Sequence, residues 1–314
     1  MKLLKKLFVA TFVLLIVAGT LCAAGQKESD GKLKIVLIPK SVGHPFWADL
    51  EKGMEDKARE MGVTAFFHGP QSATASGQIS IIEDYLAMGV DGIAIAANDP
   101  DAIKKYVELG LAQGVQMVTF DTDAPESGRL FYVGTDNVAA GNQGADALIK
   151  MMNGKGKVAI LTGGLTALNL NQRIEGFEKA AAAYPGIKIV AKESHGDSLE
   201  QGLPLMENLL TEYPDIDAFY CVSGPNVAAE GLKSAGYGPG EKIVFGFDIF
   251  EPVPTLIRDG YIQGTVAQLP YKEGQIVVEK LVAKINGESV DEIVGTGTNV
   301  VTSDNIDEYL KEVH

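Results

Sequence analysis

The chain is poor in the residues that stabilise proteins covalently or hold metals. Its 314 residues include only two cysteines and four histidines. Cys221 lies inside an apolar run, as expected of a small buried hydrophobic residue, so no disulfide framework is predicted. His44, His68, His195 and His314 lack the spacing of metal ligands. With 46% hydrophobic residues, the chain must instead be stabilised by its core.

Motifs of the common nucleotide-binding and hydrolytic sites are also missing. There is no P-loop, no G-x-S-x-G elbow, no H-E-x-x-H helix and no G-x-G-x-x-G turn after the first strand. The segment DTDAPE at Asp121 begins like a calcium loop but places Pro125 where the third oxygen ligand should be. No nucleophile is paired with a base. We therefore expect no metal, no cofactor and no enzymatic activity.

Positive charge is scarce. The 27 lysines and arginines are outnumbered by 41 aspartates and glutamates, which gives a formal net charge of -14 at pH 7. Such a balance disfavours binding to nucleic acid or to an anionic membrane. It leaves a neutral or cationic small molecule as a suitable ligand.

The N-terminus has the pattern of a secretory signal. Three lysines at positions 2, 5 and 6 precede an apolar run at 7–18, and small residues follow. At about a dozen residues this run is short for a bilayer. We predict a signal peptide over residues 1–24, followed by a flexible polar linker over 25–32. The mature chain is then expected in the periplasm or at the extracellular face of the cell membrane.

Cys22 leaves two interpretations of this terminus open. It lies where a bacterial lipoprotein carries its acylated cysteine, but the preceding Gly19-Thr20-Leu21 departs from the usual lipobox. Lipidation at Cys22 and simple cleavage after Ala24 therefore both stay open. Only the first would attach the protein to a membrane.

From residue 33 onward, short apolar runs alternate with segments of helical periodicity. Phe46, Leu50, Met54 and Ala58, for example, share one helical face. The predicted strands span residues 33–39, 63–67, 92–97, 115–121, 131–135, 158–162, 187–191, 218–222, 242–248 and 262–268. Apolar strands separated by helices predict parallel sheets covered on both faces.

The chain also repeats itself weakly. KIVLIPK at residue 34 recurs as KVAILTG at residue 157, and VQMVTFDTD, which contains Asp121, aligns with KIVFGFDIF, which contains Asp248. Two further pairs of segments keep the same offset of about 125 residues. The sequence therefore predicts an α/β fold of two similar Rossmann-like lobes, each a doubly wound parallel sheet.

Polar and aromatic side chains concentrate at the carboxyl ends of the predicted strands, where open parallel sheets bind ligands. The candidate set is Lys40, His44, Phe46, Trp47, Asp121, Asn169, Arg173, Ser223, Asn226, Asp248 and Gln268. Carboxylates, a guanidinium and amides can bond the hydroxyls of a neutral polyol, and the apolar face of a pyranose packs on aromatic rings. This combination is typical of binding, not of turnover.

Simpler interpretations of these residues stay open. Phe46 and Trp47, at a helix start, would serve equally well as core residues. Asp121 and Asp248 would serve as ordinary helix caps, although their matching positions in the repeat favour a site. A lysine at a strand end, such as Lys40, is commonly exposed to solvent.

Several motifs in one order resemble a known family. They are PKSVGHPFW, DGIAIAANDPDA, VTFDTDAPESGRLFYVGTDN, NLNQRIEGF, VFGFD and GTVAQLPY, after a signal peptide. Together they resemble the type I periplasmic monosaccharide-binding proteins of ABC importers, of the ribose, glucose and galactose group and above all thermophilic glucose-binding proteins. The resemblance implies a monomer that captures a sugar between two lobes and delivers it to the transmembrane subunits of an ABC transporter.

The resemblance also implies where the lobes divide. Three hinge crossings would fall near Asp136, Gln268 and Thr296. The N-terminal lobe would then comprise residues 33–136 and 269–295, and the C-terminal lobe residues 137–268 and 296–314.

Family positions carry over to individual residues. The aromatic platform matches Phe46 and Trp47, and the polar contact before it matches His44. The remaining matches are the cleft aspartates Asp121 and Asp248, the arginine Arg173, the hinge glutamine Gln268, a polar contact at Asn169, and either Ser223 or Asn226.

Two departures bear on the ligand. Thr122 replaces an arginine of the ribose-binding pattern, and Ala96 replaces a sugar-contacting asparagine. An aldohexose or aldopentose pyranose, glucose-like by preference, is the expected ligand. An autoinducer-2-type or polyol receptor of the same fold is the alternative, because GPQSATASGQ and PKSVG also resemble autoinducer-2 receptors. Those receptors carry an Asp-Gln pair where this chain has Asn169 and Leu170, and they lack the arginine found here as Arg173.

Overall fold

Helices and strands alternate through the described part of the computed structural model, residues 31–42 and 46–313. The strands are β1 (Lys34–Ile38), β2 (Thr64–Phe67), β3 (Gly92–Ile95), β4 (Gln116–Phe120), β5 (Tyr132–Gly134), β6 (Lys155–Thr162), β7 (Gly186–Ser194), β8 (Ala218–Cys221), β9 (Ile243–Phe247), β10 (Gly264–Ala267), β11 (Ile293–Gly295) and β12 (Asn299–Thr302). The helices are α1 (Phe46–Met61), α2 (Ala75–Met88), α3 (Pro100–Ala112), α4 (Asn137–Met151), α5 (Leu168–Ala181), α6 (Leu199–Glu212), α7 (Pro225–Ser234), α8 (Val253–Arg258), α9 (Pro270–Ile285) and α10 (Ile306–Val313). The predictions for the signal peptide, Cys22, His44 and His314 lie outside the described residues.

These strands form two sheets with the same arrangement. The first sheet has the order β11-β5-β4-β3-β1-β2, and the second has the order β12-β10-β9-β8-β6-β7. Neighbouring strands are parallel, apart from the antiparallel pair β10 and β12. The predicted α/β fold of two similar doubly wound sheets is thereby confirmed, and all of these elements lie within one compact unit, Lys34–His314.

Two strands were not predicted. β11 and β12 lie at the edges of the two sheets and are only three and four residues long. Ile293 at the start of β11 is 57% exposed, and neither segment contains a continuous apolar run. Short, half-exposed edge strands carry little of the hydrophobic signal from which a strand is recognised in a sequence.

The core covers both faces of the second sheet. Along β8, Phe219 and Cys221 pack with residues of α6, α7 and α8, whereas Ala218 and Tyr220 pack with residues of α4 and α5. This alternation follows from the two-residue period of a strand. It also explains Cys221, which is a free, fully buried residue whose thiol pKa is raised by burial.

Each sheet is flanked by a pair of helices in close contact through glycines. A Cβ at Gly141 of α4 would overlap the backbone of Arg173 in α5, and a Cβ at Gly53 of α1 would overlap the backbone of Tyr271 in α9. Because the obstacle is backbone in both cases, no side-chain movement can relieve it. The glycine at position 141 therefore sets the position of the helix that carries Arg173.

We expect Gly141→Ala to destabilise the protein by about 1–3 kcal/mol, because the two helices must separate to admit the methyl group. Chemical denaturation would measure the loss as a lower midpoint. Gly295→Ala is a suitable control, since a Cβ there would meet nothing within 4 Å and the backbone is not in the left-handed region. Equal midpoints for the two variants would contradict the close packing of α4 on α5.

Across the described ranges, no helix is both long enough and apolar enough to cross a membrane.

Candidate functional site

A cavity of about 460 Å³ lies at the carboxyl ends of strands from both sheets. Ten of the eleven side chains in the predicted site line it, and the eleventh, His44, lies outside the described residues. The ten are Lys40, Phe46, Trp47, Asp121, Asn169, Arg173, Ser223, Asn226, Asp248 and Gln268. The structure thus brings together residues from widely separated parts of the sequence, while their contacts with a ligand stay a prediction.

Asp121 and Asp248 occupy equivalent positions in the two sheets. Each directly follows a strand, β4 or β9, and each adopts the left-handed backbone conformation, with φ of 53° and 73°. A non-glycine residue in this region costs free energy, although aspartate tolerates it better than most residues. The Asp121 amide donates to Val133 O at 3.0 Å, and the Asp248 amide donates to Val266 O at 2.9 Å. The neighbouring strand therefore fixes both turns, which place a carboxylate in the cavity lining.

Arg173 is held in a fixed orientation although it is only 1% exposed. Its Nε donates to Asn137 Oδ1 at 2.9 Å and its Nη1 donates to Val222 O at 3.0 Å. Nη1 also lies 3.9 Å from Asp248 Oδ2, and the guanidinium stacks 4.2 Å from the centroid of the Phe247 ring.

Nη2 of Arg173 has no hydrogen-bond partner among the described residues. A buried donor left in this state costs about 1–3 kcal/mol. A ligand oxygen that accepted a hydrogen bond from Nη2 would recover this cost, and Arg173 lines the cavity in which such an oxygen could lie.

Lys40 connects the two sides of the cavity. Its Nζ donates to Asn169 Oδ1 at 2.9 Å, in the first turn of α5, and lies 3.6 Å from Asp121 Oδ2. Burial lowers the pKa of Lys40, and the negative charge of Asp121 opposes this effect. The interpretation of Lys40 as a solvent-exposed lysine is wrong, because only 14% of its side chain is exposed.

The two aromatic residues at the start of α1 belong to the core and also line the cavity. Phe46 and Trp47 contact each other edge to face, with centroids 5.0 Å apart and an interplanar angle of 83°. Trp47 makes a similar contact with Phe120 at the end of β4, at 6.2 Å and 80°. The rings are thus fixed by packing, which suits a rigid apolar platform beside the cavity.

Gln268 links the ends of strands in both sheets. Its Nε2 donates to Asp248 Oδ1 at 2.8 Å, and its Oε1 accepts from Thr135 Oγ1 at 3.0 Å. Tyr309 of α10 donates from its hydroxyl to the Gln268 backbone oxygen at 3.0 Å. Thr135, Asp248 and Tyr309 therefore together fix Gln268 with its amide nitrogen directed at Asp248.

Asp197 and His195 also line the cavity, although neither was among the predicted site residues. Asp197 Oδ1 accepts a 2.8 Å hydrogen bond from Ser223 Oγ, and Nε2 of the buried His195 lies 3.4 Å from Ser223 O. The predicted strand stopped at residue 191, whereas β7 continues to Ser194. With the correct strand end, the following His-Gly-Asp turn would have been recognised as part of the same edge.

The chain is similar in sequence to known binding proteins. Residues 35–289 match the family model described as periplasmic binding protein domain. The chain is 32% identical over 282 residues to the ribose import binding protein of Bacillus subtilis (strain 168), covering 89% of each. It is 28% identical over 276 residues to the D-allose-binding periplasmic protein of Escherichia coli (strain K12), covering 84% of this chain and 86% of the relative.

Two solved structures have a similar fold. An ABC transporter solute binding protein from Burkholderia graminis C4D1M, in complex with D-arabinose, has a TM-score of 0.86 at 38% identity, covering 90% of this chain and 99% of that one. A glucose-galactose binding protein from Geobacillus stearothermophilus has a TM-score of 0.84 at 31% identity, covering 87% and 98%. From the family model, the similar sequences and the shared fold, we conclude that the chain belongs to the periplasmic binding protein family.

Proposed function

We propose that this chain binds a monosaccharide in the cavity described above and delivers it to the transmembrane subunits of an ABC importer. The observation that carries the proposal is the buried Arg173, which is held by Asn137 of α4 and by Val222, lies beside Asp248, and has no partner for Nη2 among the described residues. The relatives named above bind ribose, D-allose, D-arabinose, glucose or galactose. An aldopentose or aldohexose pyranose is therefore the ligand class, with a glucose-like sugar as our specific proposal.

The lining offers complementary groups for such a ligand. Sugar hydroxyls would donate to the carboxylates of Asp121 and Asp248 and accept from Arg173, in charge-assisted hydrogen bonds. The C–H face of the ring would pack on Phe46 or Trp47. A micromolar dissociation constant needs about 8 kcal/mol, which several such bonds and one aromatic contact can supply after the costs of association.

We further propose that the two sheets form lobes that close on the sugar. The N-terminal lobe would take residues 33–136 and 269–295, and the C-terminal lobe residues 137–268 and 296–314. The membership of β11 in the first sheet and of β12 in the second supports this division. A ligand that contacts both lobes stabilises their closed arrangement because only that arrangement makes both sets of bonds.

Contacts between the sheets support closure about the cavity. Besides the bond from Lys40 to Asn169, Thr166 Oγ1 donates to Asn98 O at 3.1 Å. Hinge crossings near Asp136, Gln268 and Thr296 would let the lobes separate to admit a sugar.

Binding without turnover is part of the proposal. Ser223 and His195 both line the cavity, but the Ser223 hydroxyl donates to Asp197, whereas His195 Nε2 approaches the Ser223 carbonyl oxygen. This is not the arrangement of a nucleophile with its base.

We also propose that the protein is an exported monomer, with residues 1–24 as its signal peptide. Cys22 is then either removed with the signal peptide or retained and lipidated.

An autoinducer-2-type or polyol ligand is the second candidate. The buried Lys40 in the segment PKSVG favours it, because that segment resembles such receptors. Asn169 and Leu170, in place of an Asp-Gln pair, and the presence of Arg173 argue for the sugar.

The fluorescence of Trp47, the single tryptophan of the chain, distinguishes these candidates. We expect at least one of five aldoses, at saturating concentration, to shift the emission of Trp47, because its ring lies in the cavity lining. The five are D-arabinose, D-ribose, D-allose, D-glucose and D-galactose. Sucrose at equal concentration controls for bulk solvent effects. A shift with sorbitol or autoinducer-2, and none with the aldoses, would favour the second candidate and count against the first.

A further inference from the structure

Glu273, in the first turn of α9, lies behind Asp121 and does not line the cavity. It is 0% exposed, and its Oε1 accepts a 2.7 Å hydrogen bond from the backbone amide of Asp121. Its Oε2 has no hydrogen-bond partner within the described part of the chain. Complete burial of this carboxyl group is unusual and indicates a specific role, because aspartate and glutamate are rarely buried completely.

We propose that Glu273 is a positioning residue for Asp121, and so sets the affinity of the site. This inference rests on the proposed function. Asp121 donates from its amide to Val133 O, as Asp248 does to Val266 O in the second sheet. The bond to Glu273 is added to this shared pattern and joins the left-handed turn of Asp121 to α9. A second acceptor from a helix restricts the turn that presents the carboxylate.

The groups around Glu273 make its ionisation unfavourable. Burial is the main cause and the charge of Asp121 the next; together they raise the pKa of Glu273 well above its usual range. The hydrogen bond from the Asp121 amide and the charge of Arg173 oppose this effect, and the charge of Asp248 adds to it. On β5, Tyr132 donates its hydroxyl to Asp121 O at 2.8 Å, and burial holds its own pKa high.

On α1, Asp56 accepts a 3.0 Å hydrogen bond from the hydroxyl of Tyr271 in α9, and Lys52 lies 5.0 Å from the centroid of the Tyr271 ring, so α1 brings one charge of each sign to the start of α9. α1 approaches through Leu50 and Gly53, and β3 through Gly92 against Leu281. Because burial and the charge of Asp121 both disfavour the ionised form, Glu273 accepts the hydrogen bond from the Asp121 amide as a neutral acid. Ionised, it would place a second negative charge beside the carboxylate that is to bind a sugar hydroxyl.

A neutral buried acid has a defined effect on stability. Between the ordinary pKa of glutamate and the raised value, the folded chain binds more protons than the unfolded chain. The free energy of unfolding therefore falls as pH rises through this window. Glu273→Gln keeps an oxygen that can accept from the Asp121 amide and has no proton to lose, so its melting temperature should exceed that of wild type by more at about pH 8 than at about pH 4.5.

The binding test uses the full mature chain and calorimetry with five probes: D-arabinose, D-ribose, D-allose, D-glucose and D-galactose. The measured quantity is the dissociation constant, at about pH 6, of the sugar that wild type binds most tightly. We expect the value for Glu273→Gln to stay within about threefold of wild type. We expect the value for Glu273→Leu to be at least about tenfold higher, roughly the effect of one hydrogen bond. Glu279→Gln, an exposed glutamate of the same helix, is the matched control and should equal wild type.

The outcomes separate this inference from the proposed function. If wild type binds none of the probes, the proposed function fails. If wild type binds but Glu273→Leu binds equally well, or Glu273→Gln is as weak as Glu273→Leu, the positioning role is overturned. Should Glu273→Leu not fold, Glu273→Met takes its place, because methionine is close to glutamate in length and offers no oxygen to the Asp121 amide; a folded Glu273→Met protein that binds the sugar as tightly as wild type would overturn the inference.

Discussion

Replacing Arg173 with lysine should weaken sugar binding by at least about 100-fold, although the positive charge is kept. Lysine cannot reproduce the fork that donates to Asn137 and Val222 while keeping a third nitrogen, Nη2, available to a ligand. Two or more hydrogen bonds from a charged group are lost or rearranged, each contributing about 1.5–3 kcal/mol. A loss of about 2.8 kcal/mol already corresponds to 100-fold in affinity.

The control for this variant is Arg59→Lys on the exposed side of α1. The side chain of Arg59 is 74% exposed and pairs with Asp56, so lysine can replace it at the surface. Calorimetry on both variants, after a melting curve that shows each to be folded, gives the comparison. If the Arg173→Lys protein is folded and its dissociation constant lies within about threefold of the wild-type value, the guanidinium does not contact the ligand.

Replacing either cavity aspartate with asparagine should weaken binding by about 10- to 100-fold, and the two losses should be comparable. Asparagine is close in shape to aspartate and tolerates the left-handed backbone of both positions, so the substitution removes charge with little strain. A neutral acceptor makes a weaker bond to a sugar hydroxyl than a carboxylate does. At position 248 the asparagine oxygen can still accept from Gln268.

Asp146→Asn is the matched control for both variants. Asp146 is an exposed residue of α4, and its change removes the same unit of charge from the surface. Calorimetric titration of all three variants tests whether the ligand bridges the two sheets. If Asp121→Asn weakens binding and Asp248→Asn does not, or the reverse, the ligand contacts one sheet only and the bridging model fails.

Local patterns in the sequence predicted the architecture well. The near-continuous apolar strands and the internal repeat gave two similar doubly wound sheets, and the resemblance to periplasmic binding proteins is confirmed by the family match. The repeat also paired Asp121 with Asp248, and the structure shows that they share an unusual backbone conformation. Both features repeat at a fixed offset, which is why one sequence was enough to detect them.

Features that depend on distant partners could not be predicted. Lys40 has the sequence context of an exposed lysine, and its burial follows from Asn169, which lies 129 residues further along the chain. Glu273 has the context of an acidic residue in the first turn of a helix, where glutamate is common on the surface. Only the packing of α9 against the end of β4 shows that its carboxyl is buried beside Asp121.

Calorimetric titration of the folded wild-type chain with the five aldoses is the most direct test of the central claim, that the cavity between the two sheets holds a monosaccharide. We expect at least one aldopentose or aldohexose to bind with one-to-one stoichiometry and a dissociation constant in the micromolar range or below, about 8 kcal/mol or more. No heat of binding from any of the five, for a chain whose melting curve shows it to be folded, would contradict the claim.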